Sequence, residues 1–136
     1  MYKYTVNYEN FDGESVSEDL YFNLTKAEIT KLQLTTPGGF DKHIQAIIDS
    51  KDTGKIIELF EKLILMSYGQ RTPEGGFKKD KNIVDQFVTT EAYSELFMAL
   101  LSDADKQQAF FTGIMPKDLA AQATKEIEAK KLTIVQ

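Results

Sequence analysis

Every second residue at the start of this chain is apolar. Tyr2, Tyr4, Val6 and Tyr8 alternate with Lys3, Thr5 and Asn7, the period of a half-buried strand. Phe11-Asp12-Gly13-Glu14 follows, and Asp-Gly is a strong hairpin signal. Val16, Leu20 and Phe22 place a second strand over about Ser15–Asn23, so the hairpin spans about residues 2–23. A two-stranded hairpin alone is marginal in water. It must pack on helices or pair with another chain. This constraint sets the expected fold class: mainly α with an N-terminal β-hairpin (α+β), a small helical domain of about six to seven helices.

The helices announce themselves by their caps. Thr25-Lys26-Ala27-Glu28 reads as a capping box, with Leu24 and Ile29 placed as a hydrophobic staple. The first helix, about 26–34, carries Ala27, Leu32 and Leu34 and stops at Pro37-Gly38-Gly39. A second, about 40–50, aligns Phe40, Ile44, Ile47 and Ile48 in one stripe. Asp52-Thr53-Gly54 caps a third, about 55–68, the most apolar, which Gly69 closes as a residue beyond the helix end. Residues 70–81 read as a loop, with turn chemistry at Thr72-Pro73-Glu74-Gly75-Gly76. A helical C-terminal part, 82–131, follows. It begins with a short helix from Asn82 to Val88. Thr89 or Thr90 caps the next, Asp103 the one after it, and Pro116 opens the last. The whole chain, 1–136, is expected to be a single domain.

Composition excludes several function classes. The chain has a formal net charge of -5, against the clustered basic excess of a nucleic-acid footprint. Its one dense basic run is Lys78-Lys79-Asp80-Lys81, read as a solvated loop. Without cysteine there is no thiolate metal site and no Cys nucleophile. No apolar run approaches the roughly 18 to 20 residues of a membrane span, and the start lacks the pattern of a signal peptide.

The search for chemistry returns little. His43 is the only histidine; with no second ligand at helical spacing it reads as an ordinary helix residue. Gly38-Gly39 and Gly75-Gly76 do not extend to a phosphate-binding loop. Glu58/Lys62 and Glu126/Lys130 are helix-surface pairs. We expect no catalytic, cofactor-binding or metal-binding residue. What stands out instead is Thr90–Leu119, which packs Tyr93, Phe97, Phe110, Phe111, two methionines and four leucines into two short helices. Tyr93, Leu96, Phe97 and Leu100 are spaced as a core stripe, and Phe110 is expected to join the core. Phe111, Met115 and Met98 fall off that stripe. With Tyr93 they are the expected partner-binding residues, because Met and aromatic side chains make adaptable grooves for amphipathic helices.

Three stretches then occur in order: YFNLTKAEI (Tyr21–Ile29), LILMSYGQRTPEGGFKK (Leu63–Lys79) and TEAYSELFMALLSDADKQQAFFTGIMPKDL (Thr90–Leu119). Together they resemble the tail assembly chaperone family of long-tailed bacteriophages and prophages. The resemblance covers about Tyr21 to Leu119; Ala120–Gln136 fits no pattern of that family. It implies a non-enzymatic protein that binds the tape measure protein, keeps it soluble and helps tail tube protein polymerise around it. It further implies action in the host cytoplasm and absence from the mature virion, with no cofactor, no nucleic acid and no membrane. A homo-oligomer is compatible with it. The alternative is a structural tail or connector protein retained in the virion, which the hairpin favours and the helical bulk disfavours.

Overall fold

The computed structural model describes residues 1–116. Apart from Pro116, the expected last helix and the stretch after it lie outside the described residues. The elements are β1 (Tyr2–Glu9), β2 (Ser15–Phe22), α1 (Lys26–Thr35), α2 (Phe40–Ser50), α3 (Thr53–Ser67), β3 (Tyr68–Arg71), β4 (Phe77–Lys78), α4 (Lys81–Phe87), α5 (Glu91–Ser102) and α6 (Ala104–Ile114). The α+β class holds, with six helices among the described residues.

The N-terminal hairpin forms as its alternation requires. β1 pairs with β2 from Tyr2↔Phe22 to Glu9↔Ser15 without a bulge. The Asn10 side-chain oxygen accepts from the backbone N–H of Asp12 and Glu14 and so shapes the turn. Lys3, Thr5, Asn7 and Glu9 are exposed, whereas Val6, Leu20 and Phe22 are buried.

The hairpin is not alone in its sheet. β3 pairs antiparallel with β2, and β4 with β3, giving a four-stranded sheet in the order β1-β2-β3-β4. The stretch 70–81 is therefore not simply a loop; a second, tighter hairpin turns within it at Thr72–Gly76. α3 stops at Ser67, one residue before the expected end, and Tyr68 begins the strand. Gly69 is not a left-handed helix terminator, since its φ is not positive. It is needed for close approach: a Cβ there would lie 2.7 Å from the Lys78 carbonyl oxygen and 2.8 Å from the Phe77 ring.

Aromatic rings fill the space between sheet and helices. The Phe22 ring is fully buried and packs against Tyr2, Tyr68, Phe87 and Phe110 at centroid distances of 6.4, 5.7, 6.3 and 5.5 Å. Tyr68 and Phe87 stack at 3.8 Å. Rings offset or edge-on gain about 0.5–1.5 kcal/mol beyond their buried area. Leu63, Ile64, Leu96 and Ile114 complete the core. On α6, Gly113 lets Tyr2 lie against the helix backbone, where a Cβ would meet its ring at 2.6 Å.

The capping box forms, with Thr25 accepting from Glu28 N and Glu28 accepting from Thr25 N. Glu28 does a second job. Its carboxylate takes the Lys79 ammonium at 2.6 Å, and Lys79 Nζ also donates to the carbonyls of Asn23 (2.9 Å) and Met66 (3.3 Å). Lys79, expected in a solvated basic run, is thus half-buried and joins β4 to the start of α1 and the end of α3. Burial alone would raise the Glu28 carboxyl, but the Lys79 hydrogen bond and the Thr25 N–H overcome it, and the net shift is downward from 4.5.

Two tests follow from this architecture. Gly69→Ala should lower the free energy of unfolding by about 1–3 kcal/mol in a denaturant titration, because strand β3 must move away from β4 to admit the methyl group. The Glu28 contribution is complete above its unfolded value of 4.5 and is lost as pH falls through the depressed folded value. Lys79→Met should therefore cost about 1–2 kcal/mol at neutral pH, discounted for partial solvent screening. The loss should shrink at pH values low enough to protonate Glu28.

Candidate partner-binding surface

The four residues expected to face a partner separate into different environments. Met98 projects from α5 with 59% of its surface exposed. Tyr93, one turn before Phe97, stacks on it at 5.8 Å, and both rings are half-buried. Burial and the Glu61 carboxylate beside it push the Tyr93 hydroxyl up to about 12. Met115 follows the end of α6 and is partly buried against the core.

Phe111 is a correction. It is 5% exposed and belongs to the core cluster. Gln107, Phe110, Phe111 and Ile114 are the buried residues of α6, and their spacing of three, one and three residues is one helical stripe. A polar residue hid this stripe in the sequence. Gln107 is 1% exposed; its Nε2 donates to the Leu101 carbonyl at 3.3 Å, and its side-chain oxygen has no partner among the described residues. Leu96, Leu100 and Phe110 are buried as expected, but Phe97 is only half-buried.

The surface also contains apolar features that were not singled out as partner contacts. Leu34 on α1 is 80% exposed and Phe11 at the hairpin tip 79%. Leu32 and Leu34 are two residues apart, which on a helix means opposite sides, so the exposure of one was readable. Between α2 and α3 lies an open groove of about 470 Å³. Ala46, Ile47 and Leu59 give it an apolar floor, and His43, Lys55, Glu58 and Lys62 stand at its rim. Small side chains on α2 leave the gap open, while Phe40 anchors the helix start beneath the Lys62 ammonium, 5.9 Å from its ring. His43 is exposed and stacks on Phe40 at 6.3 Å.

Among the described residues, no three His, Asp or Glu side chains gather as a metal site. No described helix is long and apolar enough to cross a membrane. The described surface carries separate exposed apolar side chains, Phe11, Leu34 and Met98 among them, on an α+β scaffold.

A family model described as phage tail assembly chaperone matches residues 1–136. The chain belongs to that family. The match includes Ala120–Gln136, the stretch left outside the resemblance drawn from motifs. No curated protein matches the chain, and no solved structure does.

The divided environments give a direct test. Phe111→Ala should cost about 3–5 kcal/mol, as should Phe60→Ala in the centre of α3. Met98→Ala should change stability by no more than about 0.5 kcal/mol. Chemical unfolding of the three variants measures all of these values.

Proposed function

We propose that this chain binds the tape measure protein during tail assembly, holds it soluble and aids assembly of the tail tube around it. What carries the reading is the family membership of the whole chain. The surface supports it. A long helical client needs apolar receiving sites for the exposed face of an amphipathic helix, and the α5 surface around Tyr93, Phe97 and Met98 has that character. Met115 at the end of α6 is a further candidate contact. The α2–α3 groove is a second receiving site of suitable shape. The protein acts as a single domain, without catalysis and without a cofactor. Its place of action is the host cytoplasm, and it departs before the virion is complete. Tail tube protein is a second partner in this reading.

Co-expression decides it. The tape measure protein should be insoluble alone, and soluble and co-purified when this chain is present. Met98→Asp with Tyr93→Ala should abolish co-purification while the chain stays folded. A tape measure protein equally insoluble in both expressions would overturn the proposal. So would abundant copies of this chain in purified virions, detected by mass spectrometry, which would favour a structural tail component.

A further inference from the structure

Among the described residues, β1 is an edge strand with no partner on its outer side. It lies at the margin of the sheet, runs for eight residues, and contains neither a bulge nor a proline. Natural edges are usually shortened, bent or covered, because a long flat edge invites another strand.

The direction of its free backbone groups follows from two hydrogen bonds. Asn10 N donates to Glu14 O at 2.9 Å, closing the hairpin. In an antiparallel ladder the hydrogen-bonded pairs alternate, so Tyr2, Tyr4, Val6 and Tyr8 bond to β2. On the other side of β2, Asn23 N donates to Ser67 O at 2.8 Å, which gives the odd-numbered residues of β2 to β3 and leaves its even ones to β1. Both observations agree. Lys3, Thr5, Asn7 and Glu9 therefore turn their N–H and C=O groups outward. No backbone hydrogen bond from these four to anything outside the hairpin occurs among the described residues.

We propose that β1 pairs antiparallel with β1 of a second copy of this chain, centred on Val6. The outward backbone groups select which residues meet, and charge selects the register. With Val6 opposite Val6, Thr5 faces Asn7 and Lys3 faces Glu9, all four being residues with free backbone groups. Two-fold symmetry makes each of these contacts twice. Lys3 and Glu9 are the only charged residues of β1, and this register places each opposite its complement. Shifting by two residues either way removes both ion pairs. The same pairing sets Tyr4 opposite Tyr8, a cross-strand aromatic pair. It covers rings that the monomer leaves half-buried along the margin. The result is one continuous sheet of eight strands, twice the four found among the described residues.

A charge-swap cycle on the full chain tests it. Sedimentation equilibrium should report a dimer of twice the 15.4 kDa chain. Lys3→Glu and Glu9→Lys should each weaken association by roughly tenfold or more, since like charges then face each other twice. The double variant K3E/E9K should restore it. At concentrations low enough to keep every chain monomeric, all three should melt as the wild type does, because both positions are exposed; at higher concentrations the single variants should melt lower, having lost the stabilisation by association. Hydrogen exchange at the Thr5 and Asn7 amides should be slow in wild type and double variant, and fast in either single variant. A chain that stays monomeric at high concentration overturns the proposal. Association that ignores the single swaps overturns it too, as does a double variant that fails to recover.

Discussion

Phe22, Asn23 and Leu24 form an extended junction around which the core closes. Both flanking side chains are buried, Phe22 at 0% and Leu24 at 1% exposure. A backbone passing through such a place must satisfy its polar groups within the protein. It does so by reaching three separate elements. Asn23 N donates to the last residue of α3, Leu24 N donates to Ile114 at the end of α6, and the Asn23 carbonyl accepts from Lys79 beyond β4. Each bond is modest, on the order of 1 kcal/mol net. Leaving any of these groups unpaired would cost more than the bond contributes. The junction thereby fixes where α3 and α6 end relative to the sheet. The ring of Phe22 then takes its place among four others in the space those elements define.

How much of this was readable depended on whether the signal was local. The first hairpin, the Thr25 capping box and the Asp103 cap are written in a few adjacent residues, and each forms as expected; of Thr89 and Thr90, it is Thr90 that caps α5. β3 and β4 are different. β2 and β3 share two paired positions, Tyr21↔Gly69 and Phe22↔Tyr68, and β3 and β4 share two more. Such short ladders leave no alternation to detect. Their cause is tertiary: Gly69 permits the approach and Lys79 holds it, and Lys79 bonds to residues more than fifty positions away. A basic run that looked solvated contained the residue that ties the second hairpin down.

The candidate surface was legible in the same uneven way. Met98 sits outside, as its departure from the α5 stripe implied, and Tyr93 stays near the surface. Phe111 was misread because a buried glutamine at position 107 interrupted the apolar pattern that places it inside. The α2–α3 groove has no one-dimensional signature, since its floor comes from two helices and its depth from side chains that are merely small. The family, by contrast, was legible from motifs because it rests on recurring residues rather than on any site geometry.

Tyr2, at the start of the chain, rests on Phe110 and on the backbone of Gly113, near the far end of the described residues. Tyr4 similarly lies beneath Lys106. Among the described elements, β1 thus waits for α6 before Tyr2 and Tyr4 are covered. Contacts so distant in sequence are slow to form, because the loop they close must first be drawn together. Until α6 is made, Tyr2 and Tyr4 lack the surface that covers them, and apolar surface exposed in this transient way favours aggregation.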